Sequence, residues 1–145
     1  MGAYRLPMPR PTRTPPSSWT DPRHRLGIDG EAEAISFLNA RGWVVLSHRF
    51  RIGRNDLDLV IRRGALVAFV EVKTRRGDGF GPGRTAVGWR KRRTLGRLAE
   101  AWRERYGAPG DSYRFDVVEV VRTSGQAPAV EHIEDAWRLA GAWAS

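Results

Sequence analysis

A chain of 145 residues with 41% hydrophobic content has enough apolar material for one sizeable core and not for two, so a single folded unit is expected. It contains no cysteine, which excludes disulfides, thiolate nucleophiles and cysteine zinc sites, and its three histidines stand too far apart to form a local metal motif. No apolar run approaches the roughly 18 residues that cross a bilayer, and no apolar stretch follows the basic amino terminus, so a cytoplasmic protein without membrane contact is expected.

The formal net charge is +9, distributed as +4 over residues 1–25, −2 over 26–48, +10 over 49–105 and −3 over 106–145. The positive charge therefore belongs to the middle of the chain. Such a concentration is the electrostatic footprint of a nucleic-acid binder, although a solvated basic surface or an acidic protein partner would leave the same trace. Arginine outnumbers lysine 23 to two, which singles out Lys73 and Lys91.

Residues 1–25 carry six of the nine prolines and too little apolar surface to offset ordering entropy, so they read as a basic, Pro-rich, disordered arm before a domain over 26–145. Ile28, Ala32, Ile35, Ala34 and Leu38 recur at helical spacing, with Gly42 as a stop, and predict a helix over 27–41. Trp43–Leu46, Leu57–Ile61 and Leu66–Lys73 read as three strands, with Gly64 turning the second into the third. Gly77–Gly83 is a glycine-rich loop without the GK[ST] ending of a P-loop. Leu95, Leu98, Ala99, Trp102 and Tyr106 then form the apolar stripe of a second helix whose other positions are strongly basic. Tyr113–Val121 predicts a fourth strand, Val130–Ile133 a short fifth, and Glu134–Trp143 a final helix. The order is α-β-β-β-α-β in an α/β fold.

Alternation places Glu71 and Lys73 on one face of the third strand and Asp56 and Asp58 on one face of the second. If the hairpin brings the two together, carboxylates and an ammonium meet at one point. Magnesium or manganese could be held there by the carboxylates with water and a substrate phosphate, an arrangement suited to phosphodiester cleavage. A Glu/Lys pair on a strand is commonly a solvated ion pair. Here it ends an apolar strand, Ala65–Val72, that reads as buried on both faces, and lysine supplies the compact, deprotonatable amine that arginine does not. Arg75, Arg76 and Arg84 around the loop, and Arg90, Lys91, Arg92, Arg93 and Arg97 on the second helix, are the candidate phosphate contacts. Trp89 is a candidate stacking surface, although helix tryptophans are more often core.

Gly27-Ile28-Asp29-Gly30-Glu31, Asp58-Leu59-Val60, Phe69-Val70-Glu71-Val72-Lys73-Thr74-Arg75, Phe80-Gly81, Lys91 and Arg114-Phe115-Asp116-Val117-Val118 together resemble the YraN family of endonuclease-like proteins, from about Leu26 to Trp137. That family resembles the PD-(D/E)xK nucleases, among them Holliday-junction resolvases. The resemblance implies a restriction-endonuclease-like core with a mixed central sheet flanked by helices. It implies Asp58 and Glu71 as metal-holding carboxylates, the Val72 carbonyl as a further ligand, Lys73 as the motif lysine, and Glu31 as an extra catalytic carboxylate. The chain departs from the family pattern at Asn55-Asp56, where relatives have Gly-Glu, and at Arg49, where they have Asn. Asp56 thus keeps the charge with a shorter reach. The implied activity is a metal-dependent endonuclease on DNA, favoured over RNA, with branched or damaged DNA as candidate substrates and a homodimer as a further expectation. The alternative is a non-catalytic nucleic-acid-binding protein that keeps the nuclease fold.

Overall fold

A computed structural model of the chain describes residues 22–77 and 87–139, with 22–29 described by backbone alone. The elements are α1 (Pro22–Ala40), β1 (Val44–Ile52), β2 (Asn55–Arg63), β3 (Leu66–Arg76), α2 (Trp89–Tyr106), β4 (Ser112–Arg122) and β5 (Ala129–Trp137). The strands form one sheet in the order β1-β2-β3-β4-β5. All neighbours are antiparallel except β3 and β4, which run parallel because α2 carries the chain back across the sheet between them. This mixed sheet between two helices, in the order α-β-β-β-α-β-β, is the arrangement of a restriction-endonuclease-like core.

The alternation along β3 builds both halves of the core. Val67 and Phe69 point to one face, where they pack with Leu95, Leu98, Ala99 and Trp102 of α2 and Phe115 and Val117 of β4. Ala68 and Val70 point to the other, against Ala34 and Leu38 of α1 with Leu59, Ile61, Val118 and Val120. A strand buried on both faces must be apolar throughout, as this one is. Phe69 is the centre of an aromatic group, its centroid 5.8 Å from Trp102, 5.8 Å from Tyr113 and 5.6 Å from Phe115.

Two tight hairpins set the register. Gly53, with φ +61, heads the two-residue turn between the paired Ile52 and Asn55, and Gly64, with φ +64, heads the one between Arg63 and Leu66. Both conformations favour a residue without Cβ. The far end of the hairpin is tied to the α2–β4 connection by a two-pronged contact in which Arg62 Nη1 and Nη2 donate to Asp111 Oδ1 and Oδ2 at 2.8 and 2.9 Å.

The structure corrects the sequence reading in two places. The first strand runs to Ile52 rather than stopping at Leu46, because an edge strand tolerates the polar Ser47–Arg51 stretch so long as Phe50 faces the core. The final helix expected from Glu134 is absent over its described part: Glu134–Trp137 continue β5 and residues 138–139 belong to no regular element. Asp116, fully buried, accounts for this. It accepts hydrogen bonds from Arg114, His132 and the Asp135 backbone N–H, which holds Asp135 at φ +51, incompatible with helix. Trp137 then stacks on Phe115 at 3.9 Å. The expected helix 27–41 begins earlier, at Pro22; residues 1–21 of the expected arm, and most of the glycine-rich loop with Arg84, lie outside the described residues.

Candidate active site

The β2–β3 ladder runs from Arg63↔Leu66 to Leu59↔Val70. Beyond that rung Asp58 Oδ2 accepts from the Val72 backbone N–H at 2.8 Å, so a side chain takes over where the neighbouring backbone leaves off. Glu71 stands beside it, near enough for a hydrogen bond between the two carboxyl groups. Burial pushes the Asp58 carboxyl well above the usual carboxylate range, the charge of Glu71 pushes the same way, the Val72 N–H opposes, and the charge of Glu31 adds a further upward push. Two partly buried acids whose charges disfavour each other would be relieved by a cation bound between them. Glu71 Oε1 is moreover buried and accepts no hydrogen bond, while Glu71 Oε2 lies 3.6 Å from Lys91 Nζ.

Glu31 reaches this region because α1 comes unusually close to β3 at Gly30, where an added Cβ would lie 1.8 Å from Thr74 Oγ1. Glu31 itself is only 6% exposed. Arg49 grips it with two prongs, Nε to Oε1 at 3.1 Å and Nη2 to Oε2 at 2.9 Å, and His48 Nε2 shares Oε1. Consecutive strand residues normally point to opposite faces. Arg49 has φ +61, and this left-handed turn brings both His48 and Arg49 onto one carboxylate. Outside glycine, asparagine and aspartate such a conformation is uncommon, so the two-pronged grip on Glu31 is what holds Arg49 in it. Burial pushes the Glu31 carboxyl up, but the hydrogen bonds and charges of His48 and Arg49 outweigh it and leave the group below its usual range. Glu31 is therefore a stable carboxylate with both oxygens engaged.

The expected residues separate into three groups. Asp58, Glu71 and the Val72 backbone converge. Lys73 lies one alternation further along the Glu71 face of β3, in register with Glu119 of β4. Asp56 pairs across the ladder with Arg51, whose Nη2 is 3.5 Å from Asp56 Oδ2. Among the described residues no three Asp, Glu or His side chains surround a common point, so a divalent ion would rest on two carboxylates. That fits magnesium, which commonly takes one or two carboxylates and fills its shell with water and substrate oxygens, and Glu71 Oε1 is the atom left with an unmet need. His48 and Arg49 were not among the expected residues, and the Lys91–Glu71 contact links two that were expected in different roles. The one sequence signal for the former is a histidine and an arginine side by side in β1, the strand that pairs with β2.

The basic residues also divide. Arg75 Nη2 is 3.7 Å from Glu119 Oε1, and Arg92 turns inward, its Nε donating to the Val87 carbonyl at 2.6 Å. Arg76, Arg90, Lys91, Arg93 and Arg97 are exposed, and Arg90, Arg93 and Arg97 share one side of α2 by their i, i+3, i+7 spacing. α2 has no acidic residue in its first turn, which instead holds Arg90, Lys91 and Arg92. Cations at a helix start oppose the macrodipole, an unfavourable placement that Arg92 offsets through its bond to Val87 and that Arg90, exposed, does not.

No helix among the described residues is long and apolar enough to cross a membrane. A profile of the "Uncharacterised protein family UPF0102" matches residues 30–120, a span that includes Glu31, Asp58, Glu71, Lys73 and α2. Relatives called "UPF0102 protein" include one from Nocardia farcinica, 40% identical over 112 residues covering 77% of this chain and 88% of the relative. One from Geotalea uraniireducens is 36% identical over 115 residues, 79% and 91% of the two chains, and one from Caldicellulosiruptor saccharolyticus 41% identical over 98 residues, 68% and 83%. With a match of this extent, running from Gly30 in α1 through β1, β2, β3 and α2 into β4, the chain belongs to the UPF0102, or YraN, family.

Proposed function

We propose that the protein is a magnesium- or manganese-dependent nuclease that hydrolyses phosphodiester bonds in DNA. The observation that carries this reading is the Asp58–Glu71 pair: adjacent carboxylates at the point where the sheet opens, one with its proton affinity raised and the other with a buried oxygen lacking a donor. Asp58 and Glu71 would hold the ion, with the Val72 carbonyl as the family resemblance implies. A bound ion would supply positive charge to the phosphate and lower the proton affinity of a water. Lys73, on the Glu71 face, would orient that water or neutralise charge developing on the phosphate. Glu31, gripped by Arg49 and His48, holds fixed negative charge next to Asp58 and so favours a cation there. Arg90, Arg93 and Arg97 would hold the DNA backbone.

A specific observation favours a second reading. Lys91 on Glu71 and Arg49 on Glu31 place the protein's own cations against two of the acids, as expected of a nucleic-acid-binding protein that keeps the fold without the chemistry. Labelled single-stranded, duplex, flap and four-way-junction DNA, incubated with magnesium, manganese or EDTA, separates the two. Cleavage that needs the metal supports the nuclease; salt-sensitive binding with no cleavage in any metal supports the binder.

A further inference from the structure

Among the described residues the exposed large hydrophobics are Val44, Ile52 and Trp89, and Trp89 is the most exposed at 62%. Val44 and Ile52 are simply the two ends of the edge strand β1. Trp89 is different. It opens α2 on the side away from the core, while the exposed Lys91, two residues on and so on the opposite side of the same turn, reaches Glu71. The guanidinium carbons of Arg90 and Arg93 lie over its ring, 5.4 and 5.9 Å from the centre, at the outer limit of a cation–π contact, and the indole stays largely exposed beside them.

An apolar ring surrounded by cations is a poor match for an apolar protein surface, which would have to strand Arg90, Arg93 and Arg97 without partners. It is a good match for a base followed by phosphates. We infer that Trp89 is a stacking platform for an unpaired base of a DNA strand whose phosphates run along Arg90, Arg93 and Arg97. The inference rests on the nucleic-acid reading above and narrows it to substrates with unpaired nucleotides.

The test is equilibrium binding of the full chain in EDTA, so that no cleavage intervenes, to a blunt duplex and to the same duplex with a short single-stranded flap. Trp89→Ala should weaken flap binding about ten- to a hundredfold and leave blunt-duplex binding and Tm nearly unchanged. Trp89→Phe should retain most of the affinity. Abasic substitution scanned along the flap should find one position that costs wild type as much as Trp89→Ala does and costs Trp89→Ala nothing further. Equal losses on both substrates, no loss on either, or no DNA binding at all would overturn the inference. If the flap effect holds while no metal supports cleavage, catalysis fails and the stacking platform stands; if cleavage occurs without the flap effect, the reverse.

Discussion

The Asp58 carboxylate accepts the Val72 N–H at 2.8 Å, immediately past the last β2–β3 rung, so one side chain both closes the sheet and carries the charge proposed to hold a metal. The two duties separate by substitution. Asp58→Asn keeps an acceptor for Val72 and removes the charge that Glu71 opposes; Asp58→Ala removes both. Without divalent ions, Asp58→Asn should be at least as stable as wild type at neutral pH, and Asp58→Ala about 1–3 kcal/mol less stable than Asp58→Asn because it leaves a backbone donor unmet. A raised folded-state pKa stabilises the fold below the unfolded carboxyl value and loses that stabilisation as pH rises through the folded value. The Tm of Asp58→Asn should therefore gain on wild type as pH increases. Thermal melts of the three proteins over a pH series check both points, and an Asn variant less stable than Ala would sink them.

Glu31 and Glu71, both acids of the candidate site, should respond in opposite directions. Glu31→Ala leaves Arg49 and His48 facing an empty place in a mostly buried cluster, a change that typically costs about 3–5 kcal/mol. Glu71→Ala relieves the pressure on Asp58 and should leave Tm unchanged or raised while abolishing any stabilisation by magnesium or manganese. Differential scanning fluorimetry with and without the ions distinguishes them. Equal destabilisation by both would show that Glu71 is structural.

Much of this arrangement was legible in the sequence for a physical reason. β3 is apolar on both faces because it is covered on both, and α2 is apolar on one stripe because it is covered on one; local pattern is enough to see each. What was missed depends on partners far along the chain. The polar Ser47–Arg51 stretch is strand because β2 lies beside it, and Glu134–Trp137 is strand because Asp116, on another strand, takes the Asp135 N–H. Asp58 and Glu71 could be paired from alternation and a hairpin, whereas Arg49 on Glu31 needs a left-handed residue within a strand, which no periodicity announces.

The same helix approach that delivers Glu31 makes Gly30 intolerant. A methyl group there would meet Thr74 Oγ1 at 1.8 Å and Cβ at 2.9 Å, so α1 would have to lift from β3. Gly30→Ala should cost about 1–3 kcal/mol, and adding Thr74→Ala should recover part of it by removing the nearer atom. Strict additivity of the two changes in denaturant titrations would show that they do not meet.

Asp111 gives a stability response to acid remote from the site. Burial raises its carboxyl, but the Arg62 fork and the Ala108 N–H outweigh burial and hold it below the usual range. A depressed folded-state pKa stabilises at pH above the unfolded value, about 3.9, and that stabilisation is lost as pH falls through the folded one. Asp111→Asn should cost about 1.5–3 kcal/mol at neutral pH, and the gap from wild type should shrink below about pH 4. A gap independent of pH would mean that shape and not charge holds Arg62.

The cations of α2 divide by direction. Arg92 points inward to the Val87 carbonyl and over Trp137 at 5.7 Å, whereas Arg90, Arg93 and Arg97 face solvent. Each phosphate contact contributes about 0.9 to the logarithmic salt slope on duplex DNA. Replacing the three exposed arginines with alanine should reduce that slope by about two to three and weaken binding to all sequences alike. Arg92→Ala should leave the slope unchanged and lower Tm, since it gives up a hydrogen bond that tethers the helix start. Fluorescence-anisotropy titrations over a salt series, with a melt for each, check wild type and the two variants. A slope that Arg92→Ala reduces and the triple variant leaves intact would move the DNA to another face of the helix, and with it the path of any strand towards Asp58 and Glu71.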